Sequence, residues 1–375
     1  MLVNIITKNS QDTQGGLVTL TAGNEERRIA GVRYGGKLDD NAQYRVYGQF
    51  TERDGSLTPD NRDAGDDWNI GKGGFRLDWT PSAQDKVAVQ GNYYQGNFDQ
   101  NLVVPTFVQP YSERQLAKIN AEATGGSVQA RWEHQYSATS QMGLQVYYQY
   151  ADREELLYIA DTDTTFDLDF RLTSPWTIDE IVWGWLSAQS GSLHRYHPGV
   201  VDPNSATTEL FSAFVQDQVD LIPEQLRLTA GIKIEHNDYT GWEWQPSIRM
   251  LWTVHPDHRL WAAISRNVRT PSRGERTCKR AYMSCRHRRR RQNLPTLVTL
   301  FGNDQLEAEE LFAYEIGYRG RLAEKISVDA TAFYNDYDQV ISSVPGTPFV
   351  ETEVVPPCWW CRSNCRTPRH APMWI

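Results

Sequence analysis

The chain has 375 residues, of which 39% are hydrophobic, and a formal net charge of -9. It contains no run of about 18 apolar residues, which excludes helical membrane spans. The negative charge disfavours nucleic acid as a partner. No linker and no shift in composition divides the first 270 residues, so we expect one continuous architecture rather than several domains.

Strands with one polar face and one apolar face recur along the chain. The clearest segments are 127–134, 143–150, 225–237 and 325–334. In 225–237 the even positions from Leu226 to Ile234 are apolar and the odd positions are polar or glycine; in 325–334 only Phe333 is out of phase. Because successive side chains of a strand point to opposite faces, this period of two predicts a sheet with one wet face.

The connections between strands alternate in length. Short turns are predicted at 81–85, 136–141, 220–224, 255–257 and 320–324, and longer excursions at 52–68, 98–125 and 269–309, with 238–241 the brief exception. Outer-membrane barrels have short turns on one side and long loops on the other. Segments of about 9 to 11 residues are long enough to cross a bilayer as tilted strands. The pattern therefore predicts an all-β, antiparallel transmembrane β-barrel.

Aromatic residues are placed where such a barrel needs them. Among 13 Trp and 18 Tyr residues, four aromatic residues lie within a few positions of the short turns: Trp79, Trp132, Trp252 and Tyr318. Aromatic girdles mark the two membrane interfaces of outer-membrane barrels. Ordinary sheet packing is the alternative, because aromatic residues are favoured in all strands.

Two stretches lack the period of two and contain all five cysteines. Residues 273–291 have nine Arg or Lys against one acidic residue, and residues 356–375 have no acidic residue and mix Cys, Trp, Pro and Arg. Abrupt loss of alternation favours translation out of frame. A solvated loop, a basic patch for a polyanion, and a zinc site at Cys358, Cys361, Cys365 and His370 are the alternatives. A weaker case is 185–197, where His194 and His197 suggest a metal site, but a loop explains them as well.

Three groups of residues carry a resemblance to a known family. The first group is Asn4, Ile5, Ile6, Thr7 and Lys8. The second is Arg269, Pro271 and Ser272 at the end of a strand. The third is Gly302 and Asn303, followed by Tyr314, Glu315, Gly317 and Tyr318. In this order and spacing they resemble the TonB-dependent outer-membrane receptors, in which a string similar to the first group is the last strand of an N-terminal plug domain.

The later motifs make sense as parts of the barrel. Pro271 closes a strand because it cannot donate to a ladder, and Arg269 supplies a charge at the rim or in the lumen. Tyr318 lies on the apolar phase of its strand and Arg319 on the polar phase. For both motifs we expect a structural role rather than ligand contact.

The resemblance implies a barrel of about 22 strands around a plug, of which about 16 are recognisable here. We expect residues 1–16 to be the tail of the plug and its connection, and 17–355 to be a partial barrel, with 273–291 and, as a second candidate, 185–197 out of register. Residues 356–375 are expected to be a tail in a non-native reading frame. No signal peptide, energy-coupling segment or further plug is recognisable, so we expect a fragment or decayed copy that is inactive alone.

The resemblance also implies energy-coupled uptake of a ferric siderophore or a similar scarce, bulky ligand. The implied partners are the TonB energy-transducing complex, the siderophore and the lipid of a Gram-negative outer membrane; no cofactor and no metal site is expected. Weak candidates for stacking on the ligand are the loop aromatic residues Phe107, Tyr111, Tyr239 and Trp242. Packing on the solvent side explains these four equally well.

Other function classes remain open at this stage. A passive porin would use lumen charges for selectivity, such as Arg131, Glu133, Lys233, Glu235 and Asp329, but residues 4–8 argue against it because porins have no plug. A soluble all-β binding protein also fits the alternation. No nucleophile has a credible His and carboxylate partner and no phosphate loop is present, so we expect no enzyme activity.

Overall fold

A computed structural model describes ten segments of the chain: 6–105, 114–155, 159–175, 180–190, 194–195, 205–286, 295–347, 349–351, 358–366 and 371–373. Most of these residues are in strands. Two short helical elements interrupt them, a 3-10 turn at Gln11–Thr13 and the helix α1 at Arg273–Thr277. Among the described residues, no helix is long and apolar enough to cross a bilayer.

The first fifteen strands run from the N-terminus to the helix α1. They are β1 (Gly15–Thr21), β2 (Arg28–Asp39), β3 (Ala42–Arg53), β4 (Trp68–Trp79), β5 (Asp85–Pro105), β6 (Arg114–Gln135), β7 (Gln141–Glu155), β8 (Ile159–Pro175), β9 (Glu180–Ser190), β10 (His194–Arg195), β11 (Ser205–Ala206), β12 (Glu209–Ile222), β13 (Leu226–Asn237), β14 (Gly241–His255) and β15 (His258–Arg269).

Eight strands follow α1. They are β16 (Lys279–Arg286), β17 (Pro295–Phe301), β18 (Glu309–Ala323), β19 (Ile326–Asp338), β20 (Ser342–Pro345), β21 (Phe349–Glu351), β22 (Cys358–Arg366) and β23 (Ala371–Met373). The two stretches without a period of two contribute α1, β16, β22 and β23, and 185–197 contributes the end of β9 and β10. Strands are therefore present in these stretches, whose reading frame stays a prediction.

One large antiparallel sheet contains 18 of the strands. Each long strand from β1 to β9 pairs with the next, β9 pairs with β12, and the order continues through β13, β14, β15, β18 and β19. The other five strands, β16, β17, β20, β21 and β22, form a second sheet. The predicted all-β antiparallel architecture is confirmed. Within the described segments β1 does not pair with β19 or β23, so the sheet does not close there.

The two faces of the large sheet differ in polarity. A row of consecutive register pairs crosses seven strands, β2 to β8, and carries an apolar side chain on each except β5, which has Gly91. Its apolar members are Tyr34, Val46, Phe75, Val128, Tyr148 and Phe166. These side chains are exposed, at 41 to 53%. On the opposite face, residues 7–13 lie against polar side chains of β3 and β4. We call that polar face the inner face and the apolar one the outer face, as in a barrel surrounded by lipid.

Short connections lie at one end of the sheet, as predicted. The strands leave only 40–41, 80–84, 136–140, 223–225, 256–257 and 324–325 between them at that end. The aromatic residues predicted for the girdle lie there on the outer face: Trp79 and Trp132 both flank Val87, and Trp252 and Tyr318 both flank Leu260. Trp79, Trp132 and Trp252 are 38 to 45% exposed, which is what an interfacial position requires.

The predicted long loop at 98–125 is wrong. Strands β5 and β6 stay paired from Phe98 opposite Ala121 to Pro105 opposite Arg114, so most of this excursion is a two-stranded ribbon. The sequence of this ribbon lacks a clear period of two because polar residues occur on both faces of the strands. These residues bond across the ladder: Lys118 Nζ lies 2.7 Å from Asp99 Oδ2, and Asn120 donates to Asp99 Oδ1 at 2.6 Å. With 21 and 22 residues, β5 and β6 are about twice as long as a bilayer requires.

Candidate functional site

The N-terminal segment, residues 7–13, is bonded to the inner face near the short turns. The backbone N–H of Ser10 donates to Asp78 Oδ2 at 2.8 Å. The Ser10 hydroxyl lies 2.6 Å from the same oxygen and 3.0 Å from the carbonyl of Gln43, and its single proton goes to the closer, charged acceptor. Ser10 is fully buried. The segment is therefore joined to β4 by two hydrogen bonds of Ser10, whose hydroxyl oxygen also lies against the backbone of β3.

Two arginines of the wall also donate to the residues just before Ser10. Arg76 grips Asp78 with two hydrogen bonds of 2.7 and 2.8 Å and also donates to the Thr7 hydroxyl at 2.8 Å. Arg45 donates to the carbonyl of Lys8 at 3.0 Å. Arg45 and Arg76 are directly opposite each other in the register of β3 and β4, an arrangement that is unfavourable for like charges without acceptors. The segment supplies part of those acceptors.

Gly35 makes room for the end of the segment. A Cβ atom at Gly35 would lie 3.0 Å from the carbonyl carbon of Thr13 and 3.1 Å from Cα of Gln14, closer still to the carbonyl oxygen of Thr13. Thr13 is 4% exposed. Only glycine allows the backbone of the segment to approach β2 this closely. We call Gly35, Gln43, Arg45, Arg76 and Asp78 the wall site.

A cavity of about 210 Å³ lies beside the wall site. Its lining includes Asn9 of the segment, Arg76 and Asp78 of the wall site, Lys86, and the pair Arg131 and Glu133. The lumen charges predicted from sequence are largely paired with one another. Arg131 bonds to Glu133, Lys233 to Glu235 at 2.6 Å, and Arg319 to Asp329 at 3.1 Å.

The motif residues at the other end of the sheet form a second cluster. The helix α1 starts with a capping box, in which the Ser272 hydroxyl accepts from the Glu275 N–H and the Glu275 carboxylate accepts from the Ser272 N–H at 2.7 Å. Arg269 then bridges two carboxylates. It donates to Glu275 at 3.0 and 3.1 Å and to Glu309 at the start of β18. The long connection 270–308 is thereby tied to both strands that it joins.

Gly302 and Asn303 close this cluster on α1. The N–H of Gly302 donates to the carbonyl of Cys278 at 2.7 Å, and that of Asn303 to the carbonyl of Glu275 at 3.0 Å. Arg276 reaches across to another loop, where it donates to the carbonyl of Tyr239 at 2.6 Å and lies 4.9 Å from its ring centre. We call Arg269, Glu275, Arg276, Gly302 and Glu309 the loop anchor.

The start of the basic stretch is thus part of the fold. Pro271 is fully buried, Arg273 is 6% exposed, and Arg276 donates to the carbonyl of Tyr239 in another loop and to that of Asp304 within its own connection. The strand period is lost after Arg269 where the helix α1 begins, and the reading frame of 273–291 stays a prediction. Sequence reasoning had no signal for these contacts beyond the capping-box pattern of Ser272 and Glu275.

Of the four predicted ligand residues, Tyr239 and Trp242 lie within the described part of the chain. Phe107 and Tyr111 lie outside the described residues. Tyr239 is in the connection between β13 and β14, with one contact face already taken by Arg276. Trp242 is 64% exposed and shares the outer phase of β14 with Trp244 and Ile248. These positions favour loop packing for Tyr239 and a membrane interface for Trp242, and ligand contact by any of the four stays a prediction.

The remaining motif residues are distributed along β18. Tyr314 and Tyr318 lie on the outer phase, and Glu315 and Gly317 on the inner phase, where Phe333 lies opposite Glu315. A Cβ at Gly317 would collide with the indole ring of Trp261, so glycine is needed for this ring to lie flat against β18. Ile6 is 85% exposed, Thr7 and Lys8 bond to the wall site, and residues 4 and 5 lie outside the described segments.

The described residues contain no group of three or more His, Cys, Asp or Glu that could hold a metal ion. Cys358, Cys361 and Cys365 are on the single strand β22, and His194 is in β10. His197 and His370 lie outside the described residues. The zinc alternatives therefore gain no support from the part of the chain that the structure describes.

The loop anchor should respond to acid through Glu275. Burial alone raises the pKa of Glu275, but hydrogen bonds from Arg269 and Ser272 outweigh it and hold the pKa below the ordinary value of 4.5. A carboxyl group with a depressed pKa stabilises the fold above its unfolded pKa, and that stabilisation is lost as the pH falls through the folded value. We expect slower amide hydrogen exchange at residues 302–303 in the parent than in Glu275→Gln at pH 7.

The same comparison at acidic pH is the control for the prediction. At any one pH the intrinsic exchange rate is the same for both proteins. The ratio of the exchange rate in Glu275→Gln to that in the parent therefore reports only the effect of the Glu275 carboxylate. The ratio should approach one only when the pH falls below the folded-state pKa of Glu275, which itself lies below 4.5. A ratio that stays constant from pH 7 to acidic pH would show that Glu275 acts only through its shape.

The comparisons with known proteins agree with this architecture. Residues 9–364 match the family model described as TonB dependent receptor-like, beta-barrel. The chain is 23% identical to the ferric enterobactin receptor of Pseudomonas aeruginosa over 91% of the chain and 53% of that protein. It is 22% identical to the iron-regulated outer membrane virulence protein of Vibrio cholerae over 92% of the chain and 51% of that protein. The chain thus spans about half the length of these curated relatives.

Solved structures show the same fold at lower identity. The siderophore receptor PirA from Pseudomonas aeruginosa superposes with a TM-score of 0.67 at 16% identity, covering 95% of this chain and 60% of that one. The hemophore receptor HasR of Serratia marcescens, solved with its hemophore HasA and heme, has a TM-score of 0.70 at 11% identity, covering 96% of this chain and 60% of that one.

Proposed function

The chain belongs to the family of TonB-dependent receptor β-barrels, and we propose that it forms part of the barrel wall of an outer-membrane receptor. This receptor imports a scarce, bulky ligand. The docked N-terminal segment carries this proposal. Ser10 is fully buried on the inner face through Asp78 and Gln43, where an open pore would need polar side chains facing water. A wall built to hold a segment inside the lumen suits a plugged receptor better than a passive porin.

The proposed ligand is a ferric siderophore. Two named relatives, a ferric enterobactin receptor and the siderophore receptor PirA, support this class. The inner phase of β2 to β6 also carries more cationic than anionic side chains, among them Arg33, Arg45, Arg76, Lys86 and Arg131 against Asp78 and Glu133. A cationic wall attracts an anionic iron complex and excludes cations of similar size.

The same family membership supports a proposal for energy coupling and location. We assign the protein to the outer membrane of a Gram-negative cell, with lipid on the outer face and TonB as the partner that relays the proton-motive force. The apolar outer rows and the aromatic residues near the short turns support the lipid contact. Transport requires no covalent step, and no catalytic residue is assigned.

Uptake by living cells tests the proposed function. The coding DNA is first sequenced with its flanks, which fixes the reading frame through 273–291 and 356–375. The protein that carries this chain is then expressed in a host without siderophore receptors, and a panel of siderophores loaded with radioactive iron is offered. We expect accumulation from at least one ferric siderophore, and protein in the outer-membrane fraction.

A host that lacks TonB is the matched control. Accumulation should fall to the background of the empty host there, because the proposed transport depends on the proton-motive force. Equal uptake with and without TonB would contradict energy coupling and identify a passive channel. Protein that stays soluble without detergent would contradict the membrane location.

A further inference from the structure

As an inference that rests on the proposed function, we propose that residues 10–13 form a fixed anchor on the wall site, and that the part of the chain that moves during transport begins before Ser10. The anchor is an interaction surface within the chain. It joins the strands β2, β3 and β4 to the segment that precedes them in sequence.

Burial separates the anchor from the residues before it. Residues 6–9 are exposed, Ile6 to 85%, whereas Ser10 is 0% and Thr13 4% exposed. The two buried residues are three positions apart on the 3-10 turn Gln11–Thr13. Because a 3-10 helix has three residues per turn, both point to the same side, toward the wall. The turn is thus shaped to present one face to the sheet.

The hydrogen bonds of Ser10 and those of residues 7 and 8 differ in the free energy that their loss would cost. Ser10, which is fully buried, gives two polar groups to the largely buried carboxylate that Arg76 already holds. Buried hydrogen bonds to a charged group are costly to leave unmade. The bonds from Arg76 to Thr7 and from Arg45 to the Lys8 carbonyl are exposed, so water replaces them at little cost.

Gly35 fixes the position of the anchor along β2. The backbone of Thr13 and Gln14 approaches Gly35 so closely that no side chain fits there. Such a fit exists in one register only, because the next inner-face positions of β2 on either side, Arg33 and Lys37, carry long side chains. Sliding of the segment along the wall is therefore blocked, and the movement must occur before the anchor.

Two reversible crosslinks test where the movement begins. With the five native cysteines replaced by serine, a methylene-bridged bis-methanethiosulfonate joins Ser10→Cys to Asp78→Cys, or Thr7→Cys to Gln90→Cys. The side-chain oxygens of these pairs are 2.6 and 3.2 Å apart. Compared with the same double-cysteine variant before linking, the first crosslink should leave uptake of the ferric siderophore within about twofold, and the second should lower it about tenfold. Reduction should restore it.

The single cysteine variants are the matched controls, because they alter the same side chains without a link. Uptake that falls about tenfold with the first crosslink and recovers on reduction overturns the anchor. Uptake that is unaffected by the second crosslink also overturns the proposed boundary, because residue 7 would then be fixed as well.

Thiol labelling tests whether the anchor is fixed on the wall site, independently of transport. In outer membranes, maleimide should label Ser10→Cys slowly, at a rate that rises about tenfold when Gly35→Ala is added. Gly48→Ala is the matched control, since a Cβ there has its nearest neighbour at 3.9 Å. If the protein imports none of the siderophores, the proposed function fails, whereas rapid labelling of Ser10→Cys in the Gly48→Ala background overturns the anchor on its own.

Discussion

Replacing Ile264 with arginine should prevent stable insertion of the barrel. Ile264 is at the centre of β15, opposite Ile248 and Tyr314 on the outer face, and is 53% exposed. An arginine that faces lipid at the middle of an outer-membrane barrel costs about 2 to 4 kcal/mol. We expect Ile264→Arg to lower the yield of outer-membrane protein severely and to abolish folding into lipid vesicles, measured by the shift of the folded band on gels without boiling.

The neighbouring residue supplies the control. Ser265 is on the inner phase of the same strand, opposite Ser247 and Ala313, where water and polar groups solvate a charge. Ser265→Arg should therefore insert with a yield close to that of the parent. Equal tolerance of arginine at positions 264 and 265 would contradict the assignment of the two faces, and with it the membrane-spanning barrel.

Most strands could be predicted from the sequence because one face of each is apolar. In β13 the alternation from Leu226 to Ile234 matches the structure, with Ile232 and Ile234 on the outer phase opposite Val215 and Ala213. Lipid on one side and water on the other impose this period directly on the residues. The short turns could be predicted for the same reason, since each ends a run of alternation.

The ribbon at the far end of β5 and β6 could not be predicted in this way. Beyond the bilayer both faces of a strand meet water or other loops, so the period of two is lost although the backbone pairing continues. Ile119 and Ala121 are nearly fully buried there, and Asp99 and Lys118 form an ion pair. Pairing between backbones leaves no mark on side-chain type, and the sequence therefore reads as a loop.

The wall site had no local signal at all. Ser10 meets Gln43 and Asp78, which are 33 and 68 positions away in sequence. Each of these polar residues alone is an ordinary member of a wet strand face. Sequence motifs did identify Arg269, Gly302 and Asn303, but the expected role of Arg269 as a rim charge was incomplete, since the structure places it between Glu275 and Glu309.

Replacing Gly302 with alanine should open the loop anchor. A Cβ at Gly302 would lie 2.5 Å from both the carbonyl oxygen of Arg276 and the backbone nitrogen of Thr277. Both are backbone atoms of α1, so they cannot relieve the close contact by rotating away as a side chain can. Overpacking of this kind costs up to about 3 kcal/mol. We expect amide hydrogen exchange at residue 303, whose N–H bonds to the Glu275 carbonyl, to become at least tenfold faster, on the order of 1.4 kcal/mol.

Gly274 is the matched control for this change, because it is in the same connection and differs only in its surroundings. A Cβ at Gly274 would have its nearest neighbour at 3.9 Å, and alanine is favoured over glycine within a helix by up to about 1 kcal/mol. Gly274→Ala should therefore leave exchange at residue 303 unchanged or slower. Similar exchange rates in the two variants would mean that the close approach of Gly302 to α1 does not hold the loop, and the anchoring role would then rest on Arg269 alone.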